Sequence, residues 1–435
     1  MVSKLETFAK SNNIEYFLIN FTDLLGFQRS KLVPRRAIAE MEDSGAGFAG
    51  FASYLDMSPA HSDVFGIPDP DSVIQLPWKP GVAWVASDLV MDGEPVRQAP
   101  RVVLLELLQK AHSAGFTLKS GVEAEFMLLN QGGDEISDVL DNASKPCYDQ
   151  QSLMRRYEVI AEISDYMISL GWDPYQNDHE DGNGQFEMNW NYANALITAD
   201  RHAFFKFMVK SVAEKHGFRA TFMPKPFLGV TGNGCHIHAS VWDGEEGRNL
   251  FHDEKHELGL SRMATQFIGG LIHNAEALCA ITNPTVNSYK RINAPVTGSG
   301  STWAPNTITW SGNNRTHMIR VPDKGRFELR LPDGATNPYL LQAVILAAGL
   351  NGVEYARDPG KRMDMDMYAA GNSVKGAKKL PLYLLDALRA LDRNKVLKND
   401  LGDEFSSAYL KLKMREWDDY SHSLSPWERD NALDI

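Results

Sequence analysis

The chain has 435 residues, of which 43% are hydrophobic and 23% are charged, a balance typical of a globular protein long enough for two domains. Its 44 lysines and arginines against 56 aspartates and glutamates give a formal net charge of −12, which argues against nucleic acid or an anionic membrane surface as the main partner. An anionic ligand would therefore need a local cluster of arginines or lysines, or metal ions.

The cysteine pattern and the N-terminal stretch indicate a cytoplasmic protein. The three cysteines, Cys147, Cys235 and Cys279, are widely spaced, so neither a disulfide framework nor a thiolate zinc site is predicted. The start MVSKLETFAK has no signal-peptide apolar run, and no segment approaches the roughly 20 apolar residues of a membrane helix. We therefore expect no membrane partner.

Residues 1–97 are predicted to form a small α+β unit. It contains a strand at IEYFLINFTD, a helix at VPRRAIAEME and a Gly- and Pro-rich stretch that ends in VAWVASDLV. The turn DGEP and the following helix PRVVLLELLQKAHSAG mark a boundary. We therefore predict two domains, residues 1–97 and residues 98–435.

The second domain alternates predicted strands and helices. The strands are TLKSGVEAEFMLL, QFEMNW, ATFMPKP, CHIHASVW and RFELRLP. The helices are MRRYEVIAEISDYMISLG, HAFFKFMVKSVAEKHG, MATQFIGGLIHNAEALCAIT, YLLQAVILAAGLNGVEYA and a helical tail from about residue 380. This order favours an antiparallel or mixed sheet over a doubly wound one.

Acidic and imidazole side chains concentrate on four predicted strand segments: GVEAEF, HEDGNGQFE, GNGCHIH and RFELR. In most of them polar residues alternate with apolar ones, so each strand would turn its polar side to a common space. An oxygen-rich site with one or two nitrogens suits Mg²⁺ or Mn²⁺ better than zinc or copper. A single glutamate or an HxH pair is weak evidence, but the combination predicts a metal site built from Glu123, Glu125, Glu180, Glu187, His236, His238 and Glu328.

Cationic side chains follow in one block of the sequence, which contains Lys290, Arg291, Arg315, Arg320, Arg326 and Arg330. Arginines near such carboxylates favour planar recognition of carboxylate or phosphate, although surface ion pairs would explain any one of them. No Walker motif GxxxxGK[ST] and no GxSxG elbow occurs. Phosphates would therefore be held by metals and arginines.

These segments resemble the glutamine synthetase superfamily over nearly the whole chain. The matching stretches, in the family's order, are FTDLLGFQR, GVEAEF, GNGQFE, KPFLGVTGNGCHIHASVWDG, NPTVNSYKR, NNRTHMIRVP and RFELRLPDGATNPYLLQA. The resemblance implies an α+β fold: a β-grasp-like N-terminal domain and a catalytic domain with a curved antiparallel sheet. It also implies hexameric rings, stacked as a dodecamer, with each active site between neighbouring subunits.

The resemblance further implies a site that phosphorylates glutamate with ATP and then accepts an amine. One metal would be held by Glu125, Glu180 and Glu187, and the other by Glu123, His236 and Glu328. The implied L-glutamate contacts are Arg291, Arg315, Arg330, Gly232, His236 and Glu125, and the implied ATP contacts are His238, Ser240, Arg320 and Arg326. Arg315, Glu328 and Arg330 are the implied catalytic residues.

The sequence departs from the family where ordinary glutamine synthetases bind ammonium. Ala49 in FAGFA and Asn293 in RINAPV stand where an Asp and a Glu are expected. An alkylammonium trades one N–H for an apolar group, and Phe48, Ala49, Phe51 and Trp303 would offer it an apolar lining. We therefore predict methylamine as the acceptor, as in γ-glutamylmethylamide synthetases and type III-like sequences, which resemble this one at WAPNT and NNRTHMIRVP.

Several alternatives stay open at this point. One methyl group changes selectivity by only about 1 to 3 kcal/mol, so ammonium is the alternative acceptor. The base for the amine would come from Asp56, Asp63, Asp181 or His61. A non-catalytic assembly protein would be expected to have lost metal ligands, and none is lost. A kinase acting on a guanidino compound is a fourth possibility.

Overall fold

The structure is a computed structural model that describes residues 3–370 and 374–434. The strands are β1 Tyr16–Thr22, β2 Gln28–Pro34, β3 Ala46–Phe48, β4 Val64–Pro68, β5 Ile74–Gln75, β6 Val82–Met91, β7 Glu94–Pro95, β8 Thr117–Ala124, β9 Phe126–Leu129, β10 Pro174–His179, β11 Gln185–Trp190, β12 Ala193–Asn194, β13 Arg219–Thr221, β14 Cys235–Trp242, β15 Thr307–Ile308, β16 Trp310–Ser311, β17 Ile319–Arg320, β18 Phe327–Leu329 and β19 Lys378–Lys379.

The α-helices are α1 Lys4–Asn12, α2 Ile38–Ser44, α3 Pro100–Ser113, α4 Gln150–Arg155, α5 Tyr157–Ser169, α6 Ala195–Lys215, α7 Arg262–Thr282, α8 Ser288–Ile292, α9 Pro338–Glu354, α10 Met367–Ala370, α11 Leu384–Arg393, α12 Lys395–Leu401, α13 Asp403–Ser421 and α14 Pro426–Ala432. Short 3₁₀ helices cover Arg35–Ala37, Gly50–Ala52, Pro70–Ser72 and Glu257–Gly259. No helix within the described ranges combines the length and hydropathy that a bilayer crossing needs.

The N-terminal part of the chain forms a seven-stranded sheet in the order β2-β1-β6-β4-β3, with β5 and β7 paired to β6. The predicted strand IEYFLINFTD forms β1, which pairs antiparallel with β2 and parallel with β6. Its alternating side chains are buried on both faces: Phe17 packs in a small core, whereas Leu18 packs against the main core. The predicted helix VPRRAIAEME begins only at Ile38, because Pro34 ends β2.

The boundary at residues 97 and 98 stays a prediction. Leu24, Leu76 and Trp84 from the first part belong to the main hydrophobic core of the second part. Arg101 of α3 also bridges the two parts, since its guanidinium contacts Asp69, Asp88 and, on α6, Asp200. The interface between the two parts is therefore itself a packed and charged core.

The second part contains a six-stranded sheet in the order β12-β8-β14-β18-β17-β16 and a four-stranded sheet in the order β10-β11-β9-β13. Most pairs are antiparallel, and β16 with β17 is parallel. The predicted mixed architecture of helices and sheets is confirmed. The stretch TLKSGVEAEFMLL, predicted as one strand, is two: β8 joins one sheet and β9 the other, with Glu125 at the break.

Helices pack behind these sheets at close range, above all α7 against α9. Gly270 of α7 makes this approach possible, because a Cβ there would lie 2.0 Å from the carbonyl oxygen of Ala348. Gly352 of α9 is equally constrained, 2.1 Å from the carbonyl oxygen of Gln266. The helix pair forms a rigid support for the strands that carry the chemical groups.

Candidate active site

The acidic and imidazole residues meet because three neighbouring strands present the same face. In β8, β14 and β18, His236 lies opposite Glu123, and His238 lies opposite Glu328. Residues two apart on a strand point to one side, so His236 and His238 share a face with both glutamates. Register alone therefore brings four polar groups together at the centre of the sheet.

The four-stranded sheet adds a second row of carboxylates. Glu187 on β11 lies opposite Asp178 on β10. Glu180 follows β10 directly, and its N–H donates to the carbonyl oxygen of Gln185 at 2.9 Å. Ligand atoms of Asp178, Glu180 and Glu187 all lie within 4.8 Å of one another. Asp178 was not predicted as a ligand. Its spacing of two residues from Glu180 could have indicated it, because residues two apart in extended backbone point to the same side.

Glu125 joins the two rows from the break between β8 and β9. Its Oε2 accepts hydrogen bonds from the N–H of Gly234 at 2.7 Å and from Gln185 Nε2 at 3.0 Å. Gln185 Nε2 also donates to the carbonyl oxygen of Gly232 and to Asn233 Oδ1. These side-chain bonds add to the backbone bond from the N–H of Glu125 to the carbonyl oxygen of Gly234, at 3.1 Å. They hold the other oxygen of Glu125 towards His236, whose Nδ1 is 3.9 Å away.

His236 is surrounded by carboxylates at distances too long for hydrogen bonds. Its Nδ1 lies 3.6 Å from Glu123 Oε2, 3.7 Å from Glu328 Oε1 and 3.9 Å from Glu125 Oε1. Ligand atoms of Glu123, Glu187 and His236, and those of Glu123, His238 and Glu328, also cluster within 4.8 Å. These groupings put His238 and Asp178 among the possible ligands, beyond the two triads that the family resemblance implies.

The electrostatics of the cluster fit divalent cations. Burial and the nearby charge of Glu125 raise the pKa of Glu180 to about 8. Burial together with Glu123 and Glu180 raises the pKa of Glu187 well above its usual value. Two such carboxyls hold protons until a cation replaces them, and the donor set of carboxylate oxygens with imidazole suits Mg²⁺ or Mn²⁺.

Glu328 differs from these carboxyls because it is held between arginines. Arg330 Nη1 donates to its Oε1 at 2.5 Å, and Arg320 Nη1 donates to its Oε2 at 2.8 Å. Burial disfavours its charge, but Arg330 and His236 outweigh burial and lower the pKa of Glu328 to about 2. Glu328 is therefore ionised with or without a metal.

The glycine loop at residues 232–234 forms a small space beside the cluster. A Cβ at Gly234 would lie 2.8 Å from Arg291 Nη2 and 3.0 Å from both Glu125 Oε1 and His236 Nε2. His236 Nε2 is buried without a hydrogen-bond partner. Arg291 is buried on α8, and its Nη1 donates to the carbonyl oxygen of Leu331. A guanidinium, a carboxylate and an imidazole thus converge where only glycine leaves room.

A cleft of about 430 Å³ opens on the other side of Glu123. Arg326 Nη1 lies 3.0 Å from His238 Nδ1, and His238 Nε2 lies 3.0 Å from Glu123 Oε1, so this chain links the cleft to the cluster. The cleft is lined by Ser240, whose Oγ accepts from Trp242 Nε1. Two lysines and four aromatic residues that the sequence did not single out also line it, namely Lys119, Lys324, Tyr175, Trp190, Tyr192 and Trp242.

The remaining predicted residues lie at the edge of the site or away from it. Arg315 is exposed after β16, and its charge acts on Tyr148, an exposed residue that the sequence did not single out. Partial burial, with the charges of Cys147 and Glu180, raises the pKa of Tyr148 to about 12. Tyr148 and Arg315 therefore border the Glu180 side of the cluster.

The amine contacts predicted for Asn293 and Ala49 stay predictions. The side chain of Asn293 donates to the carbonyl oxygens of Pro381 and Leu382. Ala49 is exposed in the N-terminal part, and no contact described for this chain joins it to the cluster.

The four candidate bases differ in their surroundings. Asp56 is paired with Lys411 at 2.8 Å, His61 contacts Ser58, and Asp63 is exposed. Asp181 alone of the four is buried beside the cluster, directly after Glu180.

Asp181 also holds the loop at residues 294–303. Its Oδ2 accepts from Thr231 Oγ1 at 2.8 Å and from Ser299 Oγ. In the same loop the carbonyl oxygen of Trp303 accepts from Arg330 Nη2 at 3.4 Å. The loop therefore lies across the cluster, between Asp181 and Arg330.

Comparison with known proteins defines the family. Residues 97–432 match the family described as glutamine synthetase, catalytic domain. The chain is 64% identical over 435 residues to a glutamine synthetase of Rhizobium leguminosarum bv. phaseoli, with 100% of both chains covered. It is 40% identical over 445 residues to the glutamate--methylamine ligase of Methyloversatilis universalis, with 100% of this chain and 99% of that protein covered. A solved complex named GmaS/ADP, where GmaS denotes gamma-glutamylmethylamide synthetase, covers 100% of both chains with a TM-score of 0.96 and 62% identity.

Proposed function

The chain belongs to the glutamine synthetase family, and from that premise we propose that it joins L-glutamate to methylamine to give γ-glutamylmethylamide, with ATP converted to ADP and phosphate. One observation favours methylamine over ammonium as the acceptor. The loop across the cluster, APVTGSGSTW at residues 294–303, has hydroxyls and an indole but no carboxylate. Ammonium, with four N–H donors, would be poorly held there, whereas methylammonium brings one apolar face.

The residues that would hold two divalent cations are those of the carboxylate cluster: Glu123, Glu125, Asp178, Glu180, Glu187, His236, His238 and Glu328. When bound, the cations supply positive charge to the phosphates of ATP and polarise the phosphoryl group that is transferred. The cleft with Arg326 and Ser240 would take the nucleotide, since it offers cations for phosphates and aromatic faces for a base.

The first step uses the arginines around the cluster. Arg291 and the backbone at Gly232 would hold the amino-acid end of glutamate, in the space that Gly234 leaves open. The γ-carboxylate oxygen attacks the terminal phosphorus of ATP, the bond to the bridging oxygen breaks, and ADP leaves. Arg330 and Arg315 would stabilise the charge on the transferred group, while Arg320 and Arg330 keep Glu328 fixed.

The second step needs a base, because a protonated amine has no lone pair. We assign this role to Asp181, which is buried, adjoins Glu180 and is oriented by Thr231 and Ser299. It takes a proton from methylammonium, and the freed nitrogen attacks the γ-carbonyl carbon of γ-glutamyl phosphate. Phosphate leaves, and the amide nitrogen gives its remaining extra proton to the departing phosphate.

The apolar lining of the amine would come from a second subunit. Ala49 and Phe51 are exposed on the N-terminal part, and Phe51 is 59% exposed. A neighbouring chain that presents this segment to the loop at residues 294–303 would cover both. This arrangement is the one expected of hexameric rings, with the dodecamer as the expected assembly.

The test is phosphate release from ATP and glutamate with Mg²⁺, while methylamine and ammonium are titrated side by side. The proposal expects a kcat/KM for methylamine at least about tenfold above that for ammonium. Product mass identifies γ-glutamylmethylamide. A preference for ammonium would contradict the proposal and favour glutamine synthesis, the second candidate, which rests on the name of the 64% identical relative.

A further inference from the structure

A second cavity, of about 550 Å³, lies between the N-terminal sheet and helix α6, away from the carboxylate cluster. Leu18 and Trp84 of the sheet and Phe207 of α6 form apolar walls, and Phe27 and Pro338 also line it. The mechanism uses none of these residues. The cavity is therefore a candidate site in its own right.

The charged side chains of this cavity are all basic. Lys206 and Lys210 of α6 line it, and no carboxylate is found among its described lining residues. Both ammonium groups approach the ring of Phe222, at 5.3 Å and 6.0 Å from its centroid. Burial and the neighbouring Lys210 lower the pKa of Lys206 to about 8. Lys206 is half-buried and Lys210 is exposed, and the acids whose charges act on them, Asp333 and Glu214, are not among the described lining residues. An anion that enters the cavity would therefore meet both ammonium groups without a carboxylate beside it.

Polar atoms in the walls are also short of hydrogen-bond acceptors. Trp84 Nε1 and Thr22 Oγ1 are buried without a hydrogen-bond partner, and both residues line the cavity. Lys206 Nζ uses one of its three donors on the carbonyl oxygen of Gly334 at 2.7 Å. Buried polar groups are nearly always paired in native proteins, so the walls favour an occupant that carries acceptor oxygens.

We propose that this cavity binds a small organic carboxylate with an apolar body. The carboxylate would lie against Lys206 and Lys210, and its apolar body against Leu18, Trp84 and Phe207. Inorganic phosphate would satisfy the lysines but leave the apolar walls in contact with water. The site goes beyond the ligase reaction and does not depend on it.

The occupant would be coupled to the glycine loop of the cluster. Lys206 contacts Gly334, and the N–H of Gly334 donates to the carbonyl oxygen of Asn233 at 3.2 Å. Asn233 stands between Gly232 and Gly234, which border the proposed glutamate space. An anion that redirects Lys206 therefore acts two hydrogen bonds away from that space.

The test is calorimetric titration of the full-length protein with hexanoate, in the absence of ATP, glutamate and amine. Saturable binding of one hexanoate per chain is expected. Lys206→Met and Lys210→Met should each weaken it by at least about tenfold, because each removes a charge-assisted contact. The matched control is Lys215→Met on the same helix, whose ammonium is exposed and pairs with Glu162; it should leave the affinity within about twofold.

Titrating the wild-type protein with altered ligands gives an independent test, which does not require any variant to fold. Acetate lacks the apolar body and 1-hexanol lacks the charge, so each should bind at least about tenfold more weakly than hexanoate. Absence of saturable hexanoate binding would overturn the proposal. Phosphate or 1-hexanol binding as tightly as hexanoate would overturn it too, as would equal loss of affinity in Lys215→Met.

Discussion

The two sides of the candidate site are built in different ways. The carboxylate side is complete within one chain, because β8, β14 and β18 bring Glu123, His236 and Glu328 together by register. The proposed amine side consists of the buried Asp181 and the loop that it holds through Ser299, together with an exposed N-terminal segment that a neighbouring chain would have to supply. Functional groups on paired strands are thus fixed by backbone hydrogen bonds, whereas groups on loops depend on side-chain contacts.

The largest effect is expected on the carboxylate side. Glu123→Gln removes a charged oxygen shared by two of the three possible ligand groups. Phosphate release should fall on the order of a thousandfold, and Mn²⁺ affinity, measured by calorimetry, should fall with it. Glu158→Gln on the exposed face of α5 is the matched control. Near-normal activity of Glu123→Gln would show that the strand cluster is not the reaction centre.

On the amine side, Asp181→Asn should lower kcat roughly a hundredfold, because an amide cannot take the proton from methylammonium. The loop contacts from Thr231 and Ser299 can persist, since the remaining oxygen still accepts. If Asp181 is the base, raising the pH should restore activity to Asp181→Asn, because more of the methylamine is then already deprotonated. If Asp181 only positions the loop, raising the pH should restore little activity. Activity of Asp181→Asn that stays flat from pH 7 to pH 10 would therefore exclude Asp181 as the base.

A smaller change is expected at the N-terminal segment. Ala49→Asp adds a carboxylate that ammonium can use, so the ratio of kcat/KM for methylamine to that for ammonium should fall about tenfold. Ala52→Asp, which adds the same charge three residues later, is the matched control. Equal effects of both variants would mean that Ala49 does not face the amine of a neighbouring subunit.

The smallest expected effect is the number of protons that the carboxylate cluster releases when a metal binds. Because the pKa of Glu180 is raised to about 8 and the pKa of Glu187 is also raised, a metal that binds at pH 7 should displace protons from both carboxyls. Mn²⁺ titration in two buffers of different ionisation enthalpy measures the number of protons released, which should fall as the pH rises past about 8. A pH-independent proton count would contradict the raised pKa.

The same shift sets the pH dependence of stability. The folded pKa of Glu180 lies above its unfolded value, so its stabilising contribution is present below about pH 4.5 and is lost as the pH rises through about 8. The melting temperature of metal-free protein should therefore fall over this range. Saturating Mg²⁺ should reduce the fall, since the ion replaces the proton.

Much of the fold and cluster was predictable because alternation is local. Glu123, His236, His238 and Glu328 lie on strands whose polar and apolar residues alternate, and paired strands then bring them to one face. Asp178 also lies on a strand, two residues before Glu180, but it was not predicted as a ligand. The contacts of Asn293 with the carbonyls of Pro381 and Leu382 could not be predicted, because those two residues lie about 90 residues further along the chain.

The amino-acid sequence by itself determined the family, the mixed sheet architecture and the chemical type of the cluster, since residue types and two-residue spacing suffice for these. Only the tertiary structure decided that Glu125 sits at a break between two sheets, that Glu328 lies between Arg320 and Arg330, and that Asp181 adjoins Ser299. It also brought Lys206 and Lys210 to a cavity without a carboxylate among its described walls. These are contacts between distant segments, and their geometry follows from packing and burial rather than from local pattern.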